Sequence, residues 1–181
     1  MKQLTVSELK HYWEALDNWG EGERIDFVYL WQMPAWTDLC SELSWESHLV
    51  DAGYFGKKHH GYCGVYRLIG LATESELHKP ATLNRACGQD TSGTLYIGEA
   101  GSLNSRLNQL RRSLFSREDS HGAIRMLTST PLREHFPNNK LAIALLFTSR
   151  NTRRVEANLI QAYMNSFGDT PPLNYRIALE T

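Results

Sequence analysis

Apolar residues in the first part of the chain recur with spacings that predict two helices and a strand. Over residues 5–19 they lie three or four positions apart, on one face of a helix: Leu9, Tyr12, Trp13, Leu16 and Trp19. Residues 25–31 are rich in β-branched and aromatic side chains, which predicts a strand. Residues 37–50 are predicted to be helical, with Thr37 as N-cap and an apolar side formed by Leu39, Leu43 and Leu49.

The rest of the chain predicts two strands, a helix, a third strand and a second helix. Residues 62–71 and 94–98 are the predicted strands of a hairpin, joined by a long polar connection over 72–92. Residues 102–115 predict a helix that has Ser102 as its N-cap and a buried stripe of Leu103, Leu107, Leu110 and Leu114. The apolar run 140–148 is typical of a central strand covered on both faces, and residues 152–167 predict a helix that ends at Gly168.

This order of elements predicts an α/β protein, more closely an α+β sandwich. We expect a small core with a central, mostly antiparallel sheet flanked by helices over residues 61–181. Residues 1–60 would be an N-terminal helical and aromatic extension that packs on this core. All five tryptophans lie in that extension, where large aromatic side chains are best used for packing.

Composition restricts the location and the partners of the protein. No apolar run approaches the length of a membrane helix, the N-terminus lacks the apolar block of a secretory signal, and three cysteines do not make a disulfide framework. We therefore expect a cytoplasmic protein with no membrane partner. Residues 1–60 carry 5 Lys and Arg against 10 Asp and Glu, whereas residues 61–181 carry 14 against 10. The net charge of +4 on the second part weakly favours a polyanionic partner.

Five sequence elements in this basic part occur in a fixed order. Gly64-Val65-Tyr66 is followed by Tyr96-Ile97-Gly98, and Arg106 comes ten residues after the second tyrosine. Glu156 lies inside a helical pattern, and Asn174 closes a Pro-Pro-Leu-Asn segment. This series resembles the motifs of the GIY-YIG nuclease family over about residues 61–176.

The resemblance implies roles for each of these side chains. Tyr66 would activate or position the attacking water with Tyr96 beside it, and Arg106 would grip the scissile phosphate with charge-assisted hydrogen bonds. Tyrosine has a pKa of about 10, so a base role needs a metal or an arginine that lowers it. Glu156 would bind one Mg²⁺ (or Mn²⁺) ion that keeps most of its waters. The amide of Asn174 would touch the phosphate or, as the preferred interpretation, make a hydrogen bond to the backbone near the site.

Further residues extend the candidate site. His121 follows a basic helix, where related nucleases often have a histidine or lysine, and it could donate a proton or contact phosphate. Contacts to DNA are expected from Lys57, Lys58, Arg67, Arg111 and Arg112. His59, His60 and Cys63 do not form the paired ligand spacing of a structural zinc site, and a basic entrance to the core is the preferred interpretation.

Glu99 is a departure from the family pattern, because many relatives have lysine directly after the second motif. A glutamate there would repel DNA, or it could belong to the metal shell. The resemblance implies a Mg²⁺-dependent DNA endonuclease, of the restriction type or a toxin, and a homodimer is a natural way to cut both strands. The alternative is a nucleic-acid-binding module that has lost catalysis.

Overall fold

The computed structural model describes residues 3–17, 32–50, 61–116, 118–148 and 151–174. Within these residues, six α-helices and six strands occur in this order: α1 (Val6–Asp17), α2 (Trp36–Glu42), β1 (Glu46–Leu49), β2 (Cys63–Gly70), β3 (Leu83–Arg85), β4 (Gly88–Asp90), β5 (Thr94–Ala100), α3 (Leu103–Phe115), α4 (Gly122–Thr128), α5 (Leu132–His135), β6 (Leu141–Thr148) and α6 (Thr152–Phe167). This is the predicted α+β class.

The main sheet has the strand order β1-β6-β2-β5, and every pairing in it is antiparallel. Strands β2 and β6 are central and buried along almost their whole length, which explains the continuous apolar run of β6. One face of the sheet packs on α3 and α4 through a cluster that includes Tyr66 and Leu103. The other face packs on α1, α2 and α6 through a second cluster that includes Trp36 and Val155.

The predicted helices over 102–115 and 152–167 are confirmed with their caps, whereas the cap of the first helix was not predicted. Helix α3 begins after Ser102, whose hydroxyl accepts a hydrogen bond from the Ser105 amide, and its four stripe leucines are buried. Helix α6 ends at Gly168, which has the left-handed φ of +72° that glycine adopts without a steric penalty. Helix α1 begins one residue after Thr5, and Thr5 and Glu8 exchange hydrogen bonds as a capping box.

The helix predicted over 37–50 is wrong in its second half. Helix α2 ends at Glu42, Leu43 is extended, and residues 46–49 form the edge strand β1. The six-residue step from Leu43 to Leu49 does not fit the helical period, and β1 instead pairs with β6. Thr37 is also not the N-cap, because α2 begins directly after Ala35 without a side-chain cap.

The described parts of the predicted N-terminal extension pack on the core. Trp13 and Trp36 are buried against α6, since the indole of Trp13 donates to Asn158 at 3.0 Å and Trp36 meets the ring of Tyr163 edge-on. Strand β1 completes the main sheet, so part of this segment is built into the core. The strand predicted over 25–31 and the residues Trp19 and Trp31 lie outside the described residues.

The long connection over 72–92 contains a small hairpin of β3 and β4. It is held to α6 by a hydrogen bond from the Cys87 amide to the Phe167 carbonyl, 2.9 Å long. At its end the buried carboxylate of Asp90 accepts from Ser92, Thr94 and the Tyr163 hydroxyl. The connection is therefore an ordered part of the fold. In the part of the chain that the structure describes, no helix is long and apolar enough to cross a membrane.

Candidate active site

Tyr66 and Tyr96 meet on the face of the sheet that packs against α3 and α4. Tyr66 on β2 pairs with Gly98 on β5, and the two tyrosine ring centroids are 5.8 Å apart. A Cβ atom built on Gly98 would lie 2.7 Å from the Tyr96 hydroxyl and 2.9 Å from the Tyr66 hydroxyl. Both hydroxyls therefore converge over Gly98, at a position where no larger residue fits.

His121 joins this pair from the start of α4. Its Nε2 atom lies 2.7 Å from the Tyr66 hydroxyl, and its ring centroid is 5.8 Å from that of Tyr96. Burial, and then the positive charge of Arg106, lowers the pKa of His121 to about 4. The imidazole is therefore neutral near pH 7. Among the described residues its Nδ1 atom has no hydrogen-bond partner, although it is buried.

Tyr66 is a neutral phenol in this environment. Burial raises its pKa well above the ordinary value, the neighbouring Tyr96 raises it further, and Arg106 acts in the opposite direction. Tyr66 can therefore act as a base only if a second group accepts the phenol proton while the phenol oxygen accepts a proton from water. His121 is hydrogen-bonded to the hydroxyl and fits that requirement.

Arg106 is the common electrostatic neighbour of the site. It lies in the first turn of α3, half-buried, with one guanidinium nitrogen 3.1 Å from the Gln109 side-chain oxygen. Its positive charge lowers the pKa of Tyr66, of His121 and of Glu156. A guanidinium so placed leaves further N–H donors for a phosphate.

Glu156 lies at the edge of the sheet, beside β5. One of its carboxylate oxygens accepts the Glu99 amide at 3.1 Å. Burial raises the pKa of Glu156 to about 7, with the Glu99 charge adding to the shift and Arg106 opposing it. The carboxylate of Glu99 is itself held by the Thr152 hydroxyl at 2.7 Å. Glu99 on β5 and Glu156 on α6 are therefore neighbouring carboxyl groups.

Asn174 holds the edge strand in place. Its side-chain oxygen accepts the Ile97 amide at 2.9 Å, and its side-chain nitrogen donates to the Ile97 carbonyl at 2.7 Å. This is the backbone contact expected for it. By pairing both polar groups of the residue between Tyr96 and Gly98, Asn174 stabilises the strand that carries the second motif.

One of the expected DNA contacts is wrong. Arg67 is 5% exposed, and its guanidinium is stacked 4.4 Å from the Trp45 ring, 5.5 Å from the Trp36 ring and 2.7 Å from the Cys40 sulfur. It points into the protein because it follows Tyr66 by one residue, and successive side chains of a strand lie on opposite faces. It cannot reach a DNA backbone.

The other expected DNA contacts have different outcomes. Arg111 and Arg112 are exposed on α3, and Arg112 lies 3.5 Å from Glu118. Lys57 and Lys58 lie outside the described residues. The sequence interpretation missed two supporting residues, Gln109 and Thr152. Gln109 could have been found from its position three residues after Arg106 on one helix, whereas Thr152 and Glu99 are brought together only by the fold.

A metal ion at this site would rely on few protein ligands. Among the described residues, no group of three or more His, Cys, Asp or Glu side chains is arranged to hold one. Glu156 keeps one carboxylate oxygen besides the one that accepts the Glu99 amide. Such a donor fits Mg²⁺, which uses oxygen ligands, retains several waters and is often held by one or two carboxylates together with a substrate phosphate.

Comparison of the chain with protein-family models, with curated proteins and with solved structures gives no match.

Proposed function

We propose that this chain is a cytoplasmic, Mg²⁺-dependent DNA endonuclease of the GIY-YIG kind, acting in the manner of a restriction enzyme. The observation that carries the proposal is the convergence of the Tyr66 and Tyr96 hydroxyls over Gly98, with His121 hydrogen-bonded to Tyr66 and the charge of Arg106 nearby. Hydrolysis of a phosphodiester needs a proton acceptor for water and positive charge at the phosphate. This cluster offers both.

Proton transfer would run from water through Tyr66 to His121. The phenol of Tyr66 would receive the water proton as its own proton passes to the Nε2 atom of His121, 2.7 Å away. A neutral imidazole can accept that proton, and the pKa of about 4 keeps His121 neutral at the start while also making it a weak base. Tyr96 would bind the same water from the side of Gly98.

Charge at the phosphate would come from Arg106 and from an ion held by Glu156. Arg106 offers a planar set of donors that matches two phosphate oxygens. Mg²⁺ or Mn²⁺ bound to Glu156 would supply further positive charge at the scissile phosphate. A homodimer would place a second copy of the same residues on the other DNA strand.

Glu99 favours a second candidate, a DNA-binding module without catalysis. Its carboxylate adds negative charge beside Glu156, where many relatives have lysine. Burial raises the pKa of Glu156 to about 7 and the charge of Glu99 adds to the shift, which weakens metal binding below neutral pH.

The test is cleavage of supercoiled plasmid and phage DNA at pH 8 with Mg²⁺, with Mn²⁺ or with EDTA. We expect metal-dependent fragments from the wild type and none from Glu156→Gln, which keeps the acceptor for the Glu99 amide but lacks the charge. Glu134→Gln, an exposed position on α5, is the matched control and should cut as the wild type does.

Binding of the same DNA, measured in EDTA, separates the two candidates. Binding without cleavage by the wild type would contradict the nuclease and support the binding module. Cleavage that survives both EDTA and Glu156→Gln would contradict the role of Glu156.

A further inference from the structure

Two exposed aromatic side chains contact each other at the end of the sheet that carries the candidate site. Tyr62 is 57% exposed and Phe147 is 37% exposed, and their ring centroids are 5.4 Å apart at an interplanar angle of 67°. Only four large hydrophobic residues are exposed in the part of the chain that the structure describes, the other two being Leu77 and Phe115. A pair of exposed aromatic rings in contact is an apolar surface patch that calls for an explanation.

The sheet register places Phe147, and with it the ring pair, on the same face as Tyr66. Phe147 pairs with Gly64, two residues before Tyr66, so their side chains lie on the same face of the sheet. Tyr66 and Phe147 are separated by two residues along the strand and by one strand spacing across the sheet, so their Cα atoms are about 8 Å apart. That distance corresponds to about two base steps of DNA, which rise about 3.4 Å each.

The surroundings of the pair favour a polyanion. The Leu103 amide at the start of α3 donates to the Tyr62 carbonyl at 3.0 Å, so Tyr62 touches the positive end of that helix. The first turn of α3 has no acidic residue and carries Arg106. A strand whose phosphate lies on Arg106 would therefore pass beside Tyr62 and Phe147.

We infer that Tyr62 and Phe147 form a stacking platform for an unstacked nucleobase of the cleaved strand, one or two nucleotides from the scissile phosphate. This inference rests on the proposed function and adds to it a preference for substrates with an unpaired or distorted base near the cut. Every base has a π-face, so such a platform supplies affinity without reading sequence. The edge-on contact between the two rings holds Phe147 against Tyr62, and the ring of Tyr62, which is 57% exposed, would be the surface for the base.

The test uses oligonucleotides of about 20 nucleotides, single-stranded and duplex, that carry 2-aminopurine at one position at a time. Binding is measured in EDTA for the wild type, Tyr62→Ala, Phe147→Ala and the double variant. Loss of one stacked base predicts an affinity about 5- to 140-fold weaker. In the wild-type complex we expect quenching of 2-aminopurine fluorescence at one or two adjacent positions, and this quenching should disappear in the alanine variants. Tyr62→Phe and Phe147→Tyr keep the rings and should retain both signals.

Phe115→Ala is the matched control, because Phe115 is exposed to a similar degree at the far end of α3 and should not affect binding. Wild-type affinity and quenching in the alanine variants, at an unchanged melting temperature, would overturn the platform and leave the nuclease proposal intact. A change of oligomeric state in the double variant would identify the patch as a contact between copies and would also overturn it. Absence of DNA binding by the wild type would refute the proposed function and this inference together.

Discussion

Replacing Glu156 by glutamine and His121 by glutamine should change the pH dependence of stability in opposite directions. In the native protein the pKa of Glu156 is raised from 4.5 to about 7, and that of His121 is lowered from 6.5 to about 4, both chiefly by burial. The two groups are therefore neutral together in the folded state near pH 5.5. In the unfolded chain both would be charged there.

The sign of each effect follows from which state binds the proton. For Glu156 the folded state keeps a proton that the unfolded chain has lost, so its stabilising effect is full below pH 4.5 and is lost as the pH rises through about 7. For His121 the unfolded chain binds a proton that the folded state lacks. Its stabilising effect is full above pH 6.5 and is lost as the pH falls through about 4.

Each shift amounts to roughly 3 kcal/mol in the free energy of unfolding, at about 1.4 kcal/mol per pKa unit. Between about pH 4.5 and 6.5 the two slopes nearly cancel in the wild type. The free energy of unfolding of Glu156→Gln, relative to the wild type, should therefore rise by about 1.4 kcal/mol per pH unit as the pH rises. That of His121→Gln should fall by about as much.

The assay is urea unfolding without metal ions, followed by tryptophan fluorescence, at half-unit steps from about pH 4.5 to 7.5. The difference in unfolding free energy from the wild type is plotted against pH, with Glu134→Gln as a control expected to be flat. The reasoning is refuted if both differences are flat, or if they slope in the same direction.

Three further substitutions test the geometry. Gly98→Ala should abolish cleavage, because the new methyl group would collide with both tyrosine hydroxyls, whereas Gly101→Ala meets open space and should stay active in the same plasmid assay. Arg67→Met should leave the salt dependence of DNA binding unchanged, while Arg111→Ala should reduce the slope of log affinity against log salt by about 1. Equal effects of these two substitutions on the salt dependence would contradict the burial of Arg67. Asn174→Ala should lower the free energy of unfolding by about 1–3 kcal/mol for each buried backbone group left unpaired. Urea titration checks this, and an unchanged midpoint would be inconsistent with the two hydrogen bonds to the edge strand.

Local patterns in the sequence determined much of the fold. The apolar run of β6, the leucine stripe of α3 and the stop of α6 at Gly168 are each set by residues within a few positions of one another. Periodicity and capping act over that range, so a single sequence is enough to detect them. The order of the two tyrosine motifs likewise predicted that Tyr66 and Tyr96 would lie on adjacent strands, as they do.

Tertiary structure alone decided the features that depend on distant partners. Strand β1 exists because β6 pairs with it about a hundred residues later, and without that partner its residues resemble a helix. Arg67 is buried because Trp36 and Trp45 close over it from another part of the chain.

The chemistry of the candidate site was decided in the same way. The contact of His121 with Tyr66 and that of Glu156 with Glu99 each join residues more than fifty positions apart. The pKa shifts follow from the burial that these contacts produce. Residue types and their order are properties of the sequence, whereas burial and long-range proximity arise only when the sheet and its helices pack together.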